Sequence, residues 1–227
     1  MKLLSKRLET ILNMIPLSFC IADIGADHGL VSREIIKRNI AERVFAVENK
    51  IGPFKRLEKE VNSSLLTSRI TLSLSSGISK LPSDVDTVVI AGMGGKLIAK
   101  ILVDDKDKLE NVNYLLVDGH SDLEYLRSSI TKLGFKIEKE QILEEDEVFY
   151  EIILFSKGEC NYSDDELRFG PFLKEEKNSI FLKKWTKQVK KYQLLLEDEK
   201  VSNERKIILK SEIERISNYL WIQEVYY

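Results

Sequence analysis

The chain has 227 residues, of which 43% are hydrophobic and 32% are charged, and its formal net charge is −2. Such a composition is typical of a globular protein with one full domain and a smaller appendage. The small net charge argues by itself against a nucleic-acid partner, and the apolar runs are too short to span a membrane. With only two histidines, a multi-histidine metal site is nearly excluded, and no metal is predicted.

The amino-terminal segment has the pattern of an amphipathic helix rather than that of a signal peptide. Its apolar residues recur at helical spacing and stop before Pro16. Cys20 and Cys160 are far apart in the sequence and form no metal-type pair. We therefore expect a reduced protein of the cytoplasm.

The next segment is the most informative one, and it reads FCIADIGADHG from Phe19 to Gly29. An apolar strand ends in a glycine turn and a helical pattern begins at once, as in α/β domains whose ligands lie beyond the carboxyl ends of the strands. Asp27 and His28 stand in the middle of the loop, where a pyrophosphate binder has small neutral residues. A carboxylate there would repel a phosphate but tolerate a sulfonium and an amine, which favours S-adenosylmethionine over NAD.

Further strands and helical patterns follow in alternation. The predicted strands are Arg43–Val47, Ile70–Leu74, Asp86–Ile90 and Tyr114–Val117. Two later strands, Phe135–Leu143 and Val148–Phe155, are separated only by a short acidic turn, so they should form an antiparallel hairpin. Five βα units followed by a hairpin predict an α/β class I methyltransferase fold. This is a Rossmann-like domain with a mostly parallel seven-stranded sheet and an antiparallel terminal hairpin. Because the dinucleotide-binding fold is all-parallel, the hairpin is a second argument against NAD.

Beyond residue 158 the pattern is purely helical. Two apolar stripes, from Phe181 to Leu196 and from Leu209 to Leu220, predict an antiparallel coiled-coil hairpin. The chain is thus expected to divide into a methyltransferase domain (1–158) and a helical coiled-coil domain (159–227). Between Pro171 and Leu196 there are seven lysines and two acidic residues, which indicates either a basic binding face or a solvated helix surface.

Several residues are placed to bind the cofactor. Gly25 would let the backbone approach the ligand, and Asp23 would bind its ammonium group directly or through water. The helix that starts after Gly29 offers N–H groups to the methionine carboxylate. Glu48 ends the second strand, where an acid accepts hydrogen bonds from ribose hydroxyls. For these positions a plain tight turn or a surface glutamate remains the structural alternative.

The loops after the third and fourth strands supply the other cofactor candidates. Ser76 and Gly77 are placed to hold the adenine edge, although Ser-Ser-Gly is also ordinary loop chemistry. The segment AGMGGK, from Ala91, is no phosphate loop, because the spacing is wrong and Leu97 stands where a magnesium-binding hydroxyl belongs. Its glycines indicate that a flat group passes close to the backbone, with Gly92 and Met93 on the cofactor side.

In combination, these motifs resemble the TrmK family of bacterial tRNA methyltransferases. The segments that carry the resemblance are LSKRLE from Leu4, ADIGADH from Ala22, VIAGMGG from Val89, YEI from Tyr150 and FGP from Phe169. The resemblance implies a class I fold, S-adenosylmethionine as cofactor, and methylation of N1 of adenine 22 in the D-arm of tRNA, gripped partly by the helical hairpin. The chain departs from the family pattern at Gly29–Ser32, Ser75–Gly77 and Asp118–His120.

This activity requires alignment more than base catalysis, because N1 of adenine has an in-plane lone pair that can attack a methyl sulfonium. A carboxylate nearby would stabilise the resulting positive charge and accept the N6 proton, and Asp27 is the predicted catalytic residue, with His28 orienting it or contacting the base. The predicted substrate-binding residues are Arg7, Gly94, Gly95, Lys183, Lys187 and Lys190. Arg7 and the three lysines would hold tRNA phosphates.

Two other functions remain compatible with the sequence. A class I methyltransferase for a protein or a small molecule would use the helical hairpin for dimerisation. A non-catalytic relative would bind the cofactor and use the hairpin as an interaction module. The tRNA methyltransferase is favoured, as a monomer of the cytoplasm without a membrane partner.

Overall fold

The structure is a computed structural model that describes residues 4–64 and 66–221. The chain forms two compact units, one that ends at Lys174 and one that begins at Glu175. Residues 159–174 therefore group with the sheet-containing unit, whereas the sequence assigns them to the helical region. The boundary at 158 stays a prediction about which part folds by itself.

In the described part of the chain, no helix is both long and apolar enough to cross a membrane.

The first unit contains a sheet with helices on both of its faces. Its strands are β1 Ser18–Ile24, β2 Ala41–Glu48, β3 Ile70–Leu74, β4 Thr87–Met93, β5 Tyr114–Gly119, β6 Phe135–Glu145 and β7 Val148–Lys157. Its helices are α1 Lys6–Met14, α2 Leu30–Lys37, α3 Ile51–Asn62, α4 Gly95–Asp104, α5 Leu123–Thr131 and α6 Asp164–Phe169, together with a 3₁₀ helix over Lys106–Leu109. Helix α7 spans Pro171–Glu176, at the junction of the units.

The seven strands lie in the order β3-β2-β1-β4-β5-β7-β6. Neighbours among the first five are parallel, whereas β7 is antiparallel to both β5 and β6. The predicted hairpin is confirmed, and its turn is a pair of residues with positive φ, Asp146 and Glu147. The order reverses between β1 and β4, whose following helices α2 and α4 pack on opposite faces of the sheet, and this leaves a crevice for a ligand beyond the strand ends.

One expectation is wrong: the connection between β3 and β4 contains no helix, so there are four βα units rather than five. Residues 75–86 run through turns instead, because the segment is short and contains Gly77 and Pro82. Three of its apolar side chains, Ile78, Leu81 and Val85, are buried in the core and take the place of an apolar helix face.

Each face of the sheet carries its own hydrophobic core, because successive residues of a strand point to opposite faces. Ala22 and Val88 belong to one core, which also contains residues of α4 and α5. Ile21 and Val89 belong to the other core, which contains residues of α1, α2 and α3. Helix α1 is anchored there by its apolar stripe, so its polar side can reach the carboxyl ends of the central strands.

The second unit contains α8 (Ser179–Glu197) and α9 (Asn203–Trp221). Phe181 near the start of α8 lies 6.3 Å, ring centre to ring centre, from Tyr219 near the end of α9, so the two helices are antiparallel. Asn178 caps α8, because its side-chain oxygen accepts hydrogen bonds from the amides of Ile180 and Phe181. The helical hairpin is thus present, while its supercoiling as a coiled coil stays a prediction.

Candidate active site

A cavity of about 320 Å³ opens at the carboxyl ends of β1, β2, β3 and β4. This is where open α/β sheets bind ligands, and the volume is that of a small-molecule site. Seven of the residues predicted from the sequence line it, and they come from four separate segments of the chain. They are Gly25, Asp27, Glu48, Ser76, Gly77, Gly92 and Met93.

The loop after β1 turns sharply at Gly25, whose φ is +76°. The Gly25 and Ala26 amides both donate to the Val47 carbonyl, at 2.8 and 3.0 Å, which ties the loop to the end of β2. A Cβ at position 25 would lie 2.4 Å from the Met93 Cε atom. The backbone conformation favours glycine at position 25, whereas the Met93 contact involves only the end of a flexible side chain that could move.

Asp23 precedes this turn, but it does not line the cavity. Its carboxylate is buried and accepts a hydrogen bond of 2.6 Å from the Ser32 hydroxyl on α2. Burial raises the pKa of Asp23 to about 6, and the hydrogen bond from Ser32 opposes this rise. The predicted contact with a ligand ammonium, direct or through water, stays a prediction. In the structure the partner of this carboxylate is the Ser32 hydroxyl on α2.

Glu48 at the end of β2 is buried and lines the cavity. Its Oε1 atom accepts hydrogen bonds from the amides of Asn49 and Lys50, at 2.9 and 3.0 Å. These bonds hold the carboxylate in one orientation. Within the described chain both of them go to Oε1, so Oε2 is left for the hydroxyl groups of a ligand.

Asp27 lies at the mouth of the cavity with a positive φ of 43°. Its carboxylate is 3.6 Å from His28 Nε2 and 3.7 Å from Arg56 Nη2, and its side chain is 57% exposed. His28 is equally exposed and does not line the cavity. Loose contacts of this length leave both the carboxylate and the imidazole free to reorient toward a substrate.

The glycines around Met93 have different environments. Gly92 has a φ of +80° and lines the cavity next to Met93, at an irregularity in the pairing of β4 with β5. Gly94 precedes the first turn of α4. Gly95 donates its amide to the Ser121 carbonyl at 2.9 Å, and a Cβ there would lie 2.4 Å from that oxygen. Gly95 is thus explained by helix packing, and the predicted substrate contact of Gly94 and Gly95 remains untested.

Gly29, like Gly95, lies where an added side chain would meet a neighbouring part of the fold. It precedes α2 with a φ of +64°, and a Cβ there would lie 2.6 Å from Leu57 Cδ1 on α3. The residue does not line the cavity. Its side-chain hydrogen allows α2 and α3 to pack closely, while the predicted role of the helix start in binding a carboxylate stays a prediction.

Arg7 is placed differently from a phosphate-binding surface cation. Its Nε and Nη2 atoms each lie 2.6 Å from Asp118 Oδ2, and its guanidinium lies 4.9 Å from the centre of the Tyr150 ring. The Tyr150 ring meets the His120 imidazole edge-on, with 5.8 Å between ring centres. Asp118 and His120 belong to the segment in which the chain departs from the family pattern.

The lysines predicted to bind phosphates lie on α8 in the second unit. Lys183, Lys187 and Lys190 are all exposed, and their spacing of four and three residues places them on one side of the helix. No acidic residue occurs in α8 before Glu197. The geometry is therefore that of a continuous basic stripe.

The sequence missed several residues near the cavity. Asn49, Lys50 and Pro53 line it, and Arg56 lies beside Asp27. A signal was present, because all four belong to the segment that follows Glu48, and the end of a strand is a binding position. Asp118 and Tyr150 could not be linked to Arg7 from the sequence. Asp118 is 111 positions away from Arg7 and Tyr150 is farther still, and no local pattern relates such distant residues.

The chain is similar to known proteins over most of its length. The family model described as TrmK, tRNA (adenine(22)-N(1))-methyltransferase, matches residues 21–218. The tRNA (adenine(22)-N(1))-methyltransferase of Bacillus subtilis is 35% identical over 201 residues, which cover 86% of this chain and 84% of the relative.

Two solved structures are similar over nearly the whole chain. Streptococcus pneumoniae Sp1610 in complex with S-adenosyl-L-methionine has a TM-score of 0.89 and 33% identity, covering 96% of this chain and 100% of that one. M. capricolum TrmK in complex with S-adenosyl-homocysteine has a TM-score of 0.86 and 25% identity, covering 96% of this chain and 98% of that one. The chain therefore belongs to the TrmK family, the tRNA (adenine(22)-N(1))-methyltransferases.

Proposed function

We propose that this chain carries out the reaction of its family, the transfer of a methyl group from S-adenosylmethionine to N1 of adenine 22 in tRNA, with the cavity at the ends of β1, β2 and β4 as the cofactor site. The observation that carries this proposal is the pair of carboxylates, Glu48 and Asp27, in a cavity whose lining contains a single cationic side chain, Lys50, among neutral residues. A cationic nucleoside fits such a site, and a pyrophosphate does not.

The residues present fit S-adenosylmethionine in detail. Glu48, held through Oε1, would accept hydrogen bonds from the ribose hydroxyls with Oε2. Ser76 and Gly77 line the cavity beside Ile101 and would border the adenine ring. Gly25 and Gly92 bring bare backbone to the cavity, where the methionine part of the cofactor would pass.

When bound, S-adenosylmethionine supplies an electrophilic methyl group on a sulfonium. The protein has to align N1 of the target adenine with that methyl group and exclude competing orientations. Asp27 would stabilise the positive charge that develops on the adenine ring and accept the N6 proton. His28, 3.6 Å away, would orient this carboxylate or contact the base.

Lys183, Lys187 and Lys190 would hold tRNA phosphates along the basic stripe of α8. Charge reversal of all three to glutamate should weaken tRNA binding and flatten its salt dependence, by about 0.7–0.9 in the log–log slope for each lost phosphate contact. Binding assays from low to moderate salt measure this slope. An unchanged slope would contradict the assignment.

In this proposal the protein acts as a monomer, and it acts in the cytoplasm, where a tRNA substrate would be found. The proposed reaction assigns no role to a second subunit. Light scattering with and without tRNA would test whether the protein is a monomer.

The decisive experiment is methyl transfer from labelled S-adenosylmethionine to tRNA transcripts. We expect label on transcripts with adenine 22, at N1 after nucleoside analysis, and none when position 22 is guanine. Label on protein or on a small molecule alone would favour the second class of methyltransferase. Cofactor binding without any transfer would indicate a non-catalytic relative.

A further inference from the structure

Four side chains beside the cofactor cavity form a cluster that the proposed mechanism does not use: Arg7, Asp118, His120 and Tyr150. They come from α1, the end of β5, the residue after β5, and β7. The Arg7 guanidinium is the centre of the cluster, since it contacts both the Asp118 carboxylate and the face of the Tyr150 ring. We call these four residues the Arg7 cluster.

The Arg7 cluster borders the cavity at Gly92. A Cβ atom at that position would lie 3.2 Å from Arg7 Nη2 and 3.9 Å from His120 Nε2, and Gly92 itself lines the cavity. The backbone that follows ties β4 to the same region, because the His120 amide donates to the Met93 carbonyl at 3.0 Å. A group bound in the cavity near Gly92 and Met93 would therefore lie next to Arg7 and His120.

The charges in the cluster do not favour a phosphate ligand for Arg7. Its side chain is 22% exposed, and the Asp118 side chain is only 1% exposed. A phosphate would have to displace a carboxylate that cannot move into water, and removing the guanidinium from Asp118 would leave a buried charge unpaired. Burial raises the pKa of Asp118, and the nearby Arg7 opposes this rise by favouring the charged carboxylate.

The most exposed side chain of the cluster is the imidazole of His120. His120 is exposed and Tyr150 is half-buried, and the edge-to-face contact of their rings makes one continuous surface. The Arg7 guanidinium lies over the Tyr150 ring, 4.9 Å from its centre, and thereby holds the ring in place. A flipped purine base stacks readily on surfaces of this kind.

We propose that Arg7 is a positioning residue of the target-base pocket: Asp118 holds its guanidinium against Tyr150, and Tyr150 together with His120 forms the wall on which the target adenine packs. This inference rests on the proposed function, because it assumes that the target is an adenine. It assigns Arg7 to the methylation step rather than to the grip on phosphates.

The salt dependence of tRNA binding separates the two roles. For Arg7→Gln we expect an unchanged log–log slope and a single-turnover rate at saturating tRNA and cofactor that is at least about 10-fold lower than that of the unmodified protein. Lys6→Gln is the matched control, since it removes an exposed positive charge from the neighbouring position of α1. A slope reduced by about 0.7–0.9 in Arg7→Gln, with a normal rate at saturation, would overturn the proposal.

The double variant Arg7→Gln/Asp118→Asn tests whether the pair acts as a unit. We expect it to be about as slow as either single variant, because the second substitution removes a contact that is already lost. Multiplied rate losses would contradict the pairing. Cofactor affinity within about twofold of the unmodified protein in all variants shows that the cofactor site is intact.

A binding measurement tests the aromatic wall without any turnover. The chain has two histidines, so the imidazole proton signals of His28 and His120 can be assigned by comparison with His120→Gln. With S-adenosylhomocysteine held constant, we expect adenosine to shift the His120 signal saturably and uridine to leave it unchanged. An unmoved His120 signal would overturn the proposal.

The outcomes keep the two proposals apart. If tRNA is methylated but adenosine leaves His120 unmoved, this inference fails and the proposed function stands. If adenosine shifts His120 and tRNA is not methylated, the pocket stands and the proposed function fails.

Discussion

The loop after β1 and the Arg7 cluster both place a carboxylate beside the same cavity, but in opposite environments. Asp27 is 57% exposed, and its neighbours His28 and Arg56 lie 3.6 and 3.7 Å away. Asp118 is 1% exposed, and its cationic partner lies at 2.6 Å. The comparison teaches that one site is adjustable and the other is preorganised. A group that has to meet a charge developing on the substrate benefits from the first arrangement, and a group that positions others benefits from the second.

The largest expected effect tests the adjustable carboxylate. Asp27→Asn keeps the shape of the side chain but removes its charge, so the single-turnover rate should fall by about 10²–10⁴-fold while cofactor affinity changes little. Single-turnover methylation and calorimetry with S-adenosylmethionine measure the two quantities. Loss of cofactor binding with a normal rate at saturation would show that Asp27 serves the cofactor instead.

The next effect tests the preorganised pair through stability. Arg7→Gln leaves the buried Asp118 carboxylate without its cation, and we expect the free energy of unfolding to fall by about 3 kcal/mol at pH 7. The addition of Asp118→Asn should restore most of this loss, because it removes the unpaired charge. Urea unfolding of the three variants measures the difference. A double variant as unstable as Arg7→Gln would contradict a buried-charge origin.

A third carboxylate shows what burial does without a cation. The pKa of Asp23 is raised to about 6 in the folded protein, against an ordinary value near 4. The folded state thus binds the proton more tightly than the unfolded state. The stabilisation from this group is fully present below about pH 4 and is lost as the pH rises through about 6. It amounts to about 2–3 kcal/mol across that window.

Asp23→Asn removes this titration and retains the polar group. Between pH 4 and pH 7, the stability difference between Asp23→Asn and the unmodified protein should shift in favour of the variant, because only the unmodified protein loses stability. Urea unfolding at several pH values measures the shift. A difference that does not vary with pH would contradict the raised pKa. Ser32→Ala, which removes the hydrogen bond from Ser32 Oγ, should raise the pKa of Asp23 further and extend the loss of stability to higher pH.

The smallest effect tests the exposed ion pair. Arg56→Gln removes the cation that lies 3.7 Å from Asp27, and both side chains are more than half exposed. Such pairs contribute about 0–1 kcal/mol. The equilibrium constant of unfolding and the single-turnover rate constant should therefore each change by less than about fivefold. A larger loss of rate would mean that Arg56 holds Asp27 in place and that the loop is preorganised after all.

Local patterns in the sequence were sufficient for most of the fold. The glycine turn after Ile24, the hairpin around Asp146 and the two terminal helices follow from periodicity and turn chemistry within short windows. The strand ends also located seven cavity residues, because parallel strands bring their carboxyl ends to one edge of the sheet. The missing helix between β3 and β4 was an error of a different kind. A short apolar segment can fill a core position without regular structure, and no local pattern reveals this.

The sequence by itself determined the class of fold, the family and the edge of the sheet at which the cavity opens, since each depends on the order and spacing of neighbouring residues. Only the tertiary structure decided how each charged group is used. It turned Asp23 toward Ser32 and away from the cavity, left Asp27 exposed, and joined Arg7 to Asp118 across 111 positions. The physical reason is that burial and ion pairing depend on which elements pack together, and the packing of α1 beside β5 and β7 is set by the whole hydrophobic core rather than by residues near Arg7.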